Sequence, residues 1–408
     1  MARFMTPPRR AQVILRLAIA FPLTWAASAA AQELRVDGYV DLRLIAPPGD
    51  PSWRAGGLGP TRYDGSSPQA VIGAAVLEPS LQILPDLRAV IDVRYDPTET
   101  GGKLGLTEAY LRYRPVSTTQ VYWWVKAGMF FAPISLENDS IGWSNAWTIT
   151  SSAIDSWVGE ELRTIGVEPT IEWRDTPVGT VRLFGAVFGD NETAGTLLGS
   201  SGWNLSDTIT PLGGRVAQPT VGGVPASSTV FQQIDRNPGW YAGATVDSPD
   251  IGQVTVMRYD NDANIDANFI DSAWHTRFWS LAAKTDLAGI TFLAQGMLGD
   301  TTVADSPAYA PDTHFDGAYL LAGYRIGEWR IAARIERFGT QGFDTSLDQD
   351  LSEHGTAETV ALSWRPYRHL RLTAEWLHID TTRQMRIEQG LAPRQVDNQE
   401  QLMARLSF

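Results

Sequence analysis

The sequence predicts an all-β fold: a transmembrane, antiparallel, up-and-down β-barrel of about sixteen strands with an infolded constriction loop. Three observations carry this. Apolar and polar residues alternate with a period of two in segment after segment. Short turns alternate with long polar stretches between those segments. After residue 32 no window approaches the ~18–20 apolar residues of a transmembrane helix, so a chain that spans a bilayer must do so as a closed barrel. With no cysteine, disulfide frameworks and thiolate chemistry are excluded. A formal charge of −13 argues against nucleic acid as a partner.

Residues 1–31 have the pattern of a secretory signal peptide. Arg3, Arg9, Arg10 and Arg16 give a cationic start. Leu17 to Trp25 form an apolar middle that Pro22 and Thr24 interrupt, and Ala26-Ala27-Ser28-Ala29-Ala30-Ala31 ends it in small residues. Cleavage after Ala31 is expected to leave one barrel domain, residues 32–408.

The first strand sets Leu34, Val36, Gly38, Val40, Leu42 and Leu44 against Arg35, Asp37, Tyr39, Asp41 and Arg43. That length suits a tilted membrane strand of ~9–11 residues plus its ends. A run at 70–84 follows, and then Arg88–Tyr95, where Ala89, Ile91 and Val93 oppose Arg88, Asp92 and Arg94. In Thr107–Arg114, Ala109, Leu111 and Tyr113 oppose Glu108, Tyr110, Arg112 and Arg114. Val121, Trp123 and Val125 oppose Tyr122, Trp124 and Lys126, and Ile165, Val167, Ile171 and Trp173 oppose Thr164, Glu168, Thr170 and Glu172. Further strands are expected near 178–188, 239–247, 251–260, 273–285, 289–298, 315–326, 329–338 and 357–365. Leu370, Leu372, Ala374 and Trp376 then oppose Arg371, Thr373 and Glu375. The last strand sets Leu402, Ala404, Leu406 and Phe408 against Met403, Arg405 and Ser407. Pro79 and Pro169 fall inside strand runs and are expected at strand ends or bulges, because proline cannot donate to a ladder. No helical period is found.

Long polar connections are expected at 45–69, 128–162, 189–238, 299–313, 340–355 and 381–396. Tyr113, Trp173, Trp240, Tyr259, Trp274, Trp329 and Trp364 sit near strand ends, where interfacial aromatic girdles belong. Mid-strand charges such as Arg112, Glu172, Arg334, Glu336, Arg371 and Glu375 would be costly against a dry core but not against a wet lumen.

Ala109-Tyr110-Leu111-Arg112-Tyr113-Arg114-Pro115, the strand Val121–Lys126, and Ala127-Gly128-Met129-Phe130-Phe131-Ala132-Pro133-Ile134-Ser135-Leu136-Glu137 resemble the phosphate-selective porin O and P family. The terminal Ala404-Arg405-Leu406-Ser407-Phe408 resembles the aromatic signal that the barrel assembly machinery reads. The resemblance implies a Gram-negative outer-membrane porin in contact with lipid bilayer and lipopolysaccharide. It further implies a homotrimer, a sixteen-stranded barrel, an infolded loop and an arginine-lined pore for small anionic or neutral solutes, with no cofactor. Phosphate selectivity in the family depends on grouped lysines. Here Met129 stands where the motif often has lysine, and Lys103, Lys126 and Lys284 are the only lysines.

By phase, the lumen is expected to be lined by Arg35, Arg43, Arg88, Arg94, Arg112, Arg114, Lys126, Arg182, Arg330, Arg334, Arg371, Glu375 and Arg405. Arginine's permanent, planar charge suits passing an anion between sites; cross-strand pairing with Asp and Glu is the competing use. Residues 129–147 are expected to form the constriction, with Phe130, Phe131 and Pro133 as buttresses and Glu137, Asn138 and Asp139 facing the passage. Trp143, Trp147 and Trp157 would pack the loop on the wall. Asp260-Asn261-Asp262-Ala263-Asn264-Ile265-Asp266, with Asp271 beyond, has calcium-loop spacing, but it lacks the glycine and closing glutamate such a loop needs. No metal site is assigned. The alternatives are an outer-membrane hydrolase, for which His378-Ile379-Asp380 is the nearest candidate, and a soluble periplasmic β-rich binding protein. No nucleophile elbow or zinc-protease motif supports the former.

Overall fold

The structure is a computed structural model describing residues 33–99, 101–221, 224–266, 272–304, 311–344 and 349–408. The expected leader, residues 1–31, lies outside the described residues.

Sixteen antiparallel strands close into a barrel. The first eight are β1 (Leu34–Ala46), β2 (Gln69–Leu84), β3 (Leu87–Tyr95), β4 (Leu104–Tyr113), β5 (Val121–Phe131), β6 (Arg163–Thr176), β7 (Gly179–Gly189) and β8 (Gly239–Ser248). The others are β9 (Gly252–Asp260), β10 (Trp274–Leu287), β11 (Ile290–Val303), β12 (Asp312–Ile326), β13 (Trp329–Asp344), β14 (Glu353–Tyr367), β15 (Leu370–Arg383) and β16 (Arg394–Ser407). Each pairs with its sequence neighbours. The pairing of β1 with β16, from Tyr39 opposite Ser407 to Ala46 opposite Glu400, closes the ring. The backbone of Phe408 completes the closure by exchanging hydrogen bonds with Gly38.

Every strand follows from its alternation. Leu42 and Leu44 point out and are exposed, while Asp41, Arg43 and Ile45 between them point in and are buried. The outward row of β14 runs His354, Thr356, Glu358, then Val360, Leu362, Trp364. On β15 it runs Thr382, Asp380, His378, then Trp376, Ala374, Leu372. An apolar belt therefore wraps the short-turn half of the wall, below a polar collar toward the long loops. Tyr113, Trp240, Trp329 and Trp364 are exposed on the outer face, and Trp329 and Trp364 stack at 5.5 Å. Two of the expected girdle residues face the other way. Tyr259 is buried inside the barrel, and Trp274 lies against Gly199 within it.

Three further expectations change. Pro79 and Pro169 lie within β2 and β6, neither at a strand end nor at a shift of register. The ladder tolerates them because Pro79 has no partner on β3 and Pro169 none on β7. The strands β13, β15 and β16 run further into 340–355 and 381–396 than expected, because inward and outward rows are both polar there and hydropathy carries no period-two contrast. Helices also occur, although no helical period is visible: α1 (Ala153–Glu161), α2 (Thr196–Ser200) and α3 (Met385–Glu388). All nine residues of α1 are buried, so it has no polar face to mark its period.

The core of the molecule is inside the barrel. The β1–β2, β5–β6 and β7–β8 loops fold inward and pack Trp53, Ile154, Trp157, Leu197, Trp203 and Leu205 against Phe188, Tyr259, Phe278, Phe315 and Phe338 of the wall. Trp157 meets Phe315 at 5.2 Å edge-to-face, and Tyr259 stacks on Phe278 at 4.8 Å. Buried aromatic area of this kind stabilises the inserted loops.

Candidate pore and constriction

The loop between β5 and β6 is held to the wall by carboxylates that accept backbone N–H groups. Glu375 of β15 accepts from Ile149 N and from Thr150 N (3.1 Å). Glu336 of β13 accepts from Ala153 N, at the start of α1, at 2.7 Å. Glu108 of β4 accepts from Phe131 N at 3.1 Å. Such amides would otherwise lose water without replacement. Arg334 of β13 completes the frame. Its guanidinium donates to Thr150 O and Ser151 O, each at 2.9 Å, and pairs with Glu137 (3.1 Å) and Glu336 (2.9 Å). The β7–β8 loop is fixed likewise, with Trp203 N on Glu353 (2.7 Å) and Trp203 O taking a hydrogen bond from Arg383.

Within the loop the expected buttresses divide. Phe130 is fully buried and Phe131 stacks on Trp143 at 4.2 Å, whereas Pro133 is exposed and buttresses nothing. Glu137 does not face a passage. It is buried, accepting from Ser152 N (2.6 Å) and Asn145 (2.9 Å) and pairing with Arg334. Asn138 is nearly buried, and Asp139 is exposed. Trp147 packs on Gly323, where even a Cβ would come within 2.5 Å of the indole.

Two glutamates at the end of α1 tie the loops to each other. Glu161 accepts from Trp157 Nε1 (2.7 Å), Gly195 N (2.9 Å) and Leu197 N (3.1 Å), and Glu160 from Ser206 (3.1 Å). Burial pushes Glu160 up to about 8 and Glu161 up to about 7, the three donors partly offsetting it at Glu161. A carboxyl that binds its proton more tightly when docked favours docking fully below its ordinary range of about 4.5, and loses that contribution as pH rises through the docked value. The inserted loops should therefore loosen between about pH 5 and 9. Channel openings in a planar bilayer should be more frequent at the alkaline end, and Glu160→Gln should remove most of that difference.

The thirteen predicted lining residues all project inward, in two populations. Arg43, Arg94, Arg334, Arg371 and Glu375 are buried beneath the loops, so they meet protein rather than open water. Arg35, Arg88, Arg112, Arg114, Lys126, Arg182 and Arg330 remain half-buried or exposed toward the short-turn end. Arg405 lies between the two, its guanidinium held by Asp41 at 2.7 Å and lying 3.7 Å from the Tyr39 ring centre.

Arg405 also lines two adjoining cavities. Below it a vestibule of about 320 Å³ is lined by Tyr39, Asp139, Ser144, Arg365, Arg368, Arg371 and Arg405. Above it, sharing Tyr39, Ser144 and Arg405, a polar seam runs between loop and wall past Arg94, Asn138, Asp155 and Asp207. The seam encloses about 10 Å³, room for about one water. Asp207, from the β7–β8 loop, is its charge centre, with Arg43 at 2.5 Å, Arg62 at 2.7 Å and Arg94 at 3.6 Å. Burial alone would raise the Asp207 carboxyl, but these three guanidiniums hold it well below the usual carboxylate range. Sequence reasoning missed Asp207, Arg62 and Arg383 because they act from loops, or at strand ends, where no phase assigns a side.

Other candidates do not join the pore. Asp260, Asp262 and His275 bring one ligand atom each to within 4.8 Å of one another at the collar. His275 Nε2 is 2.9 Å from Asp260, so the two already satisfy each other. Asp271 lies outside the described residues. His378 and Asp380 stand on the outer wall, His378 against Asn398 (2.9 Å) and Asp380 paired with Arg394 (2.7 Å), while Ile379 between them is buried inside.

No family model and no curated protein matches the chain by sequence. Its fold is similar to solved outer-membrane barrels. The outer membrane channel DcaP of Acinetobacter baumannii matches with a TM-score of 0.54 at 12% identity, over 93% of this chain and 99% of that one. The trimer form of OmpT, an outer membrane protein of Vibrio cholerae, gives 0.53 at 9% identity over 93% and 100%. OmpF of Salmonella typhi, in complex with daunomycin, gives 0.52 at 11% over 92% and 97%.

Proposed function

We propose that the protein is an outer-membrane porin of a Gram-negative bacterium, passing small hydrophilic solutes by passive diffusion. The observation that carries this is the arrangement of the lumen: an inward-folded loop, bonded to the wall by Glu375, Glu336 and Arg334, leaves a polar seam that opens into a charged vestibule. A catalytic centre would not need that arrangement, and a soluble binding protein would not expose an apolar belt.

Charge selectivity follows from which side chains stay wet. Arg114 and Arg365 are exposed, and Arg88, Arg112 and Arg330 half-buried, in the short-turn half, so anions are preferred. Phosphate selectivity is left out of the reading. Lys103 and Lys284 are far from Lys126 along the wall, and Lys126 is bonded to Glu168 at 3.2 Å, so no lysine group forms. A homotrimer, contact with lipopolysaccharide, and recognition of Phe408 by the barrel assembly machinery accord with the barrel form and the exposed terminal ring.

Liposome swelling tests the reading. Vesicles holding the refolded protein should admit glycerol and small organic anions, more slowly as solute size increases, because the inserted loops restrict the lumen. Swelling indistinguishable from protein-free vesicles for every solute would overturn it.

A further inference from the structure

The inward wall of β3–β5 in the open half of the lumen carries charges that the barrel itself does not compensate. Arg88 stands directly opposite Arg112 on the neighbouring strand, and Arg112 directly opposite Lys126. Like charges in opposed positions destabilise a sheet. Lys126 is relieved by Glu168 at 3.2 Å. Among the described residues Arg88, Arg112 and Arg114 have no carboxylate within ion-pair distance, and Arg88 reaches only the Ser80 hydroxyl at 2.6 Å. Several other wall arginines are paired, Arg182 with Glu172 at 2.7 Å, Arg405 with Asp41 and Arg334 with Glu137 and Glu336, while Arg163 and Arg371, also without an ion pair, are buried beneath the loops and Arg330 is half-buried.

An aromatic surface adjoins this triad. Trp124 of β5 points inward and is half-buried, with the Arg114 guanidinium 5.4 Å from its ring centre. A solute here meets three unneutralised guanidiniums beside an indole that faces water.

We propose that this sector is a binding subsite for flat organic anions, an aryl carboxylate being the simplest. The carboxylate docks on Arg88, Arg112 and Arg114, in the planar two-point geometry guanidinium favours. The aryl ring lies against Trp124. The anion removes the repulsion along the Arg88–Arg112 row, and the ring adds an aromatic contact to an indole already flanked by Arg114 and, at 5.8 Å, Arg182. The subsite rests on the porin reading for its purpose, though not for its chemistry.

The test is equilibrium binding of benzoate to the refolded full-length barrel in detergent, followed by ligand-observed NMR, with cyclohexanecarboxylate and inorganic phosphate as comparison probes. Benzoate should bind about fivefold tighter than cyclohexanecarboxylate, the same charge without the flat ring. Arg112→Gln should weaken benzoate about tenfold. Trp124→Leu should bring the two carboxylates level. Heat-modifiable electrophoretic mobility confirms that each variant is folded, and the exposed Arg114→Gln replaces Arg112→Gln if the latter is not. Equal binding of the two carboxylates by the wild type, phosphate bound as tightly as benzoate, or unchanged affinity in both arginine variants would overturn the proposal. Benzoate binding without bilayer conductance removes the channel and supports the subsite; conductance without benzoate binding does the reverse.

Discussion

Arg334→Ala should loosen the constriction and raise single-channel conductance, while destabilising the barrel by about 3–5 kcal/mol. The side chain is fully buried, and its guanidinium makes six hydrogen bonds at once to loop and wall: to Glu137, Thr148, Thr150 and Ser151 of the loop and to Glu336 and Thr359 of the wall. Removing it leaves Glu137 and Glu336 buried and facing each other without a cation, and leaves the Thr150 and Ser151 carbonyls without their donor. Both carboxylates also hold backbone amides, Ser152 N and Ala153 N, so their release frees the start of α1. Arg334→Lys should recover part of the stability but little of the closure, since one ammonium cannot span Thr150 O, Ser151 O and two carboxylates. Urea titration of the refolded barrel measures the stability loss, and bilayer recording the conductance. An Arg334→Ala variant of wild-type conductance would mean that the loop is held without Arg334, by its apolar packing and by Glu375.

Asp207→Ala should produce the largest shift in ion selectivity. Arg43, Arg62 and Arg94 converge on this one carboxylate beside the seam between loop and wall. Arg62 keeps Asp96 at 2.7 Å and Arg43 keeps Asp41 at 3.1 Å, so the seam gains net positive charge without losing every ion pair. The zero-current potential in a KCl gradient should move toward that of chloride. The cost in stability should be about 3–5 kcal/mol, as for other broken buried pairs. Asp139→Ala removes a carboxylate exposed in the vestibule and should change stability by less than about 0.5 kcal/mol. The contrast separates a buried charge centre from a solvated one.

The barrel was legible in the sequence because its physics is local. A strand between lipid and lumen must alternate, as Leu42 and Leu44 do with Arg43, and sixteen such runs stand where sixteen strands form. Inward phase was equally readable, and Arg334, Glu375 and Arg405 stand on the inward rows of their strands. What those side chains meet was not. Arg334 reads as a water-facing cation until the β5–β6 loop, whose Glu137 lies nearly two hundred residues away, is seen to bury it. The interior core was hidden for a related reason. Phe278 and Phe315 look like ordinary members of an alternating strand, and only the insertion of Trp157 and Trp203 between them makes a packed centre. Asp207 sits in a polar loop with no period at all, so nothing in its neighbourhood marks it as the partner of three arginines.

The barrel is closed, and its inserted loops, held by Arg334, leave a polar seam centred on Asp207 beside the wall. Planar-bilayer recording of the refolded wild type, Arg334→Ala and Asp207→Ala side by side tests it most directly. The predicted result is small, infrequent steps in the wild type, larger steps in Arg334→Ala, and a zero-current potential displaced toward chloride in Asp207→Ala. Folded protein giving no steps in any of the three, or the same steps and the same potential in all of them, would contradict it.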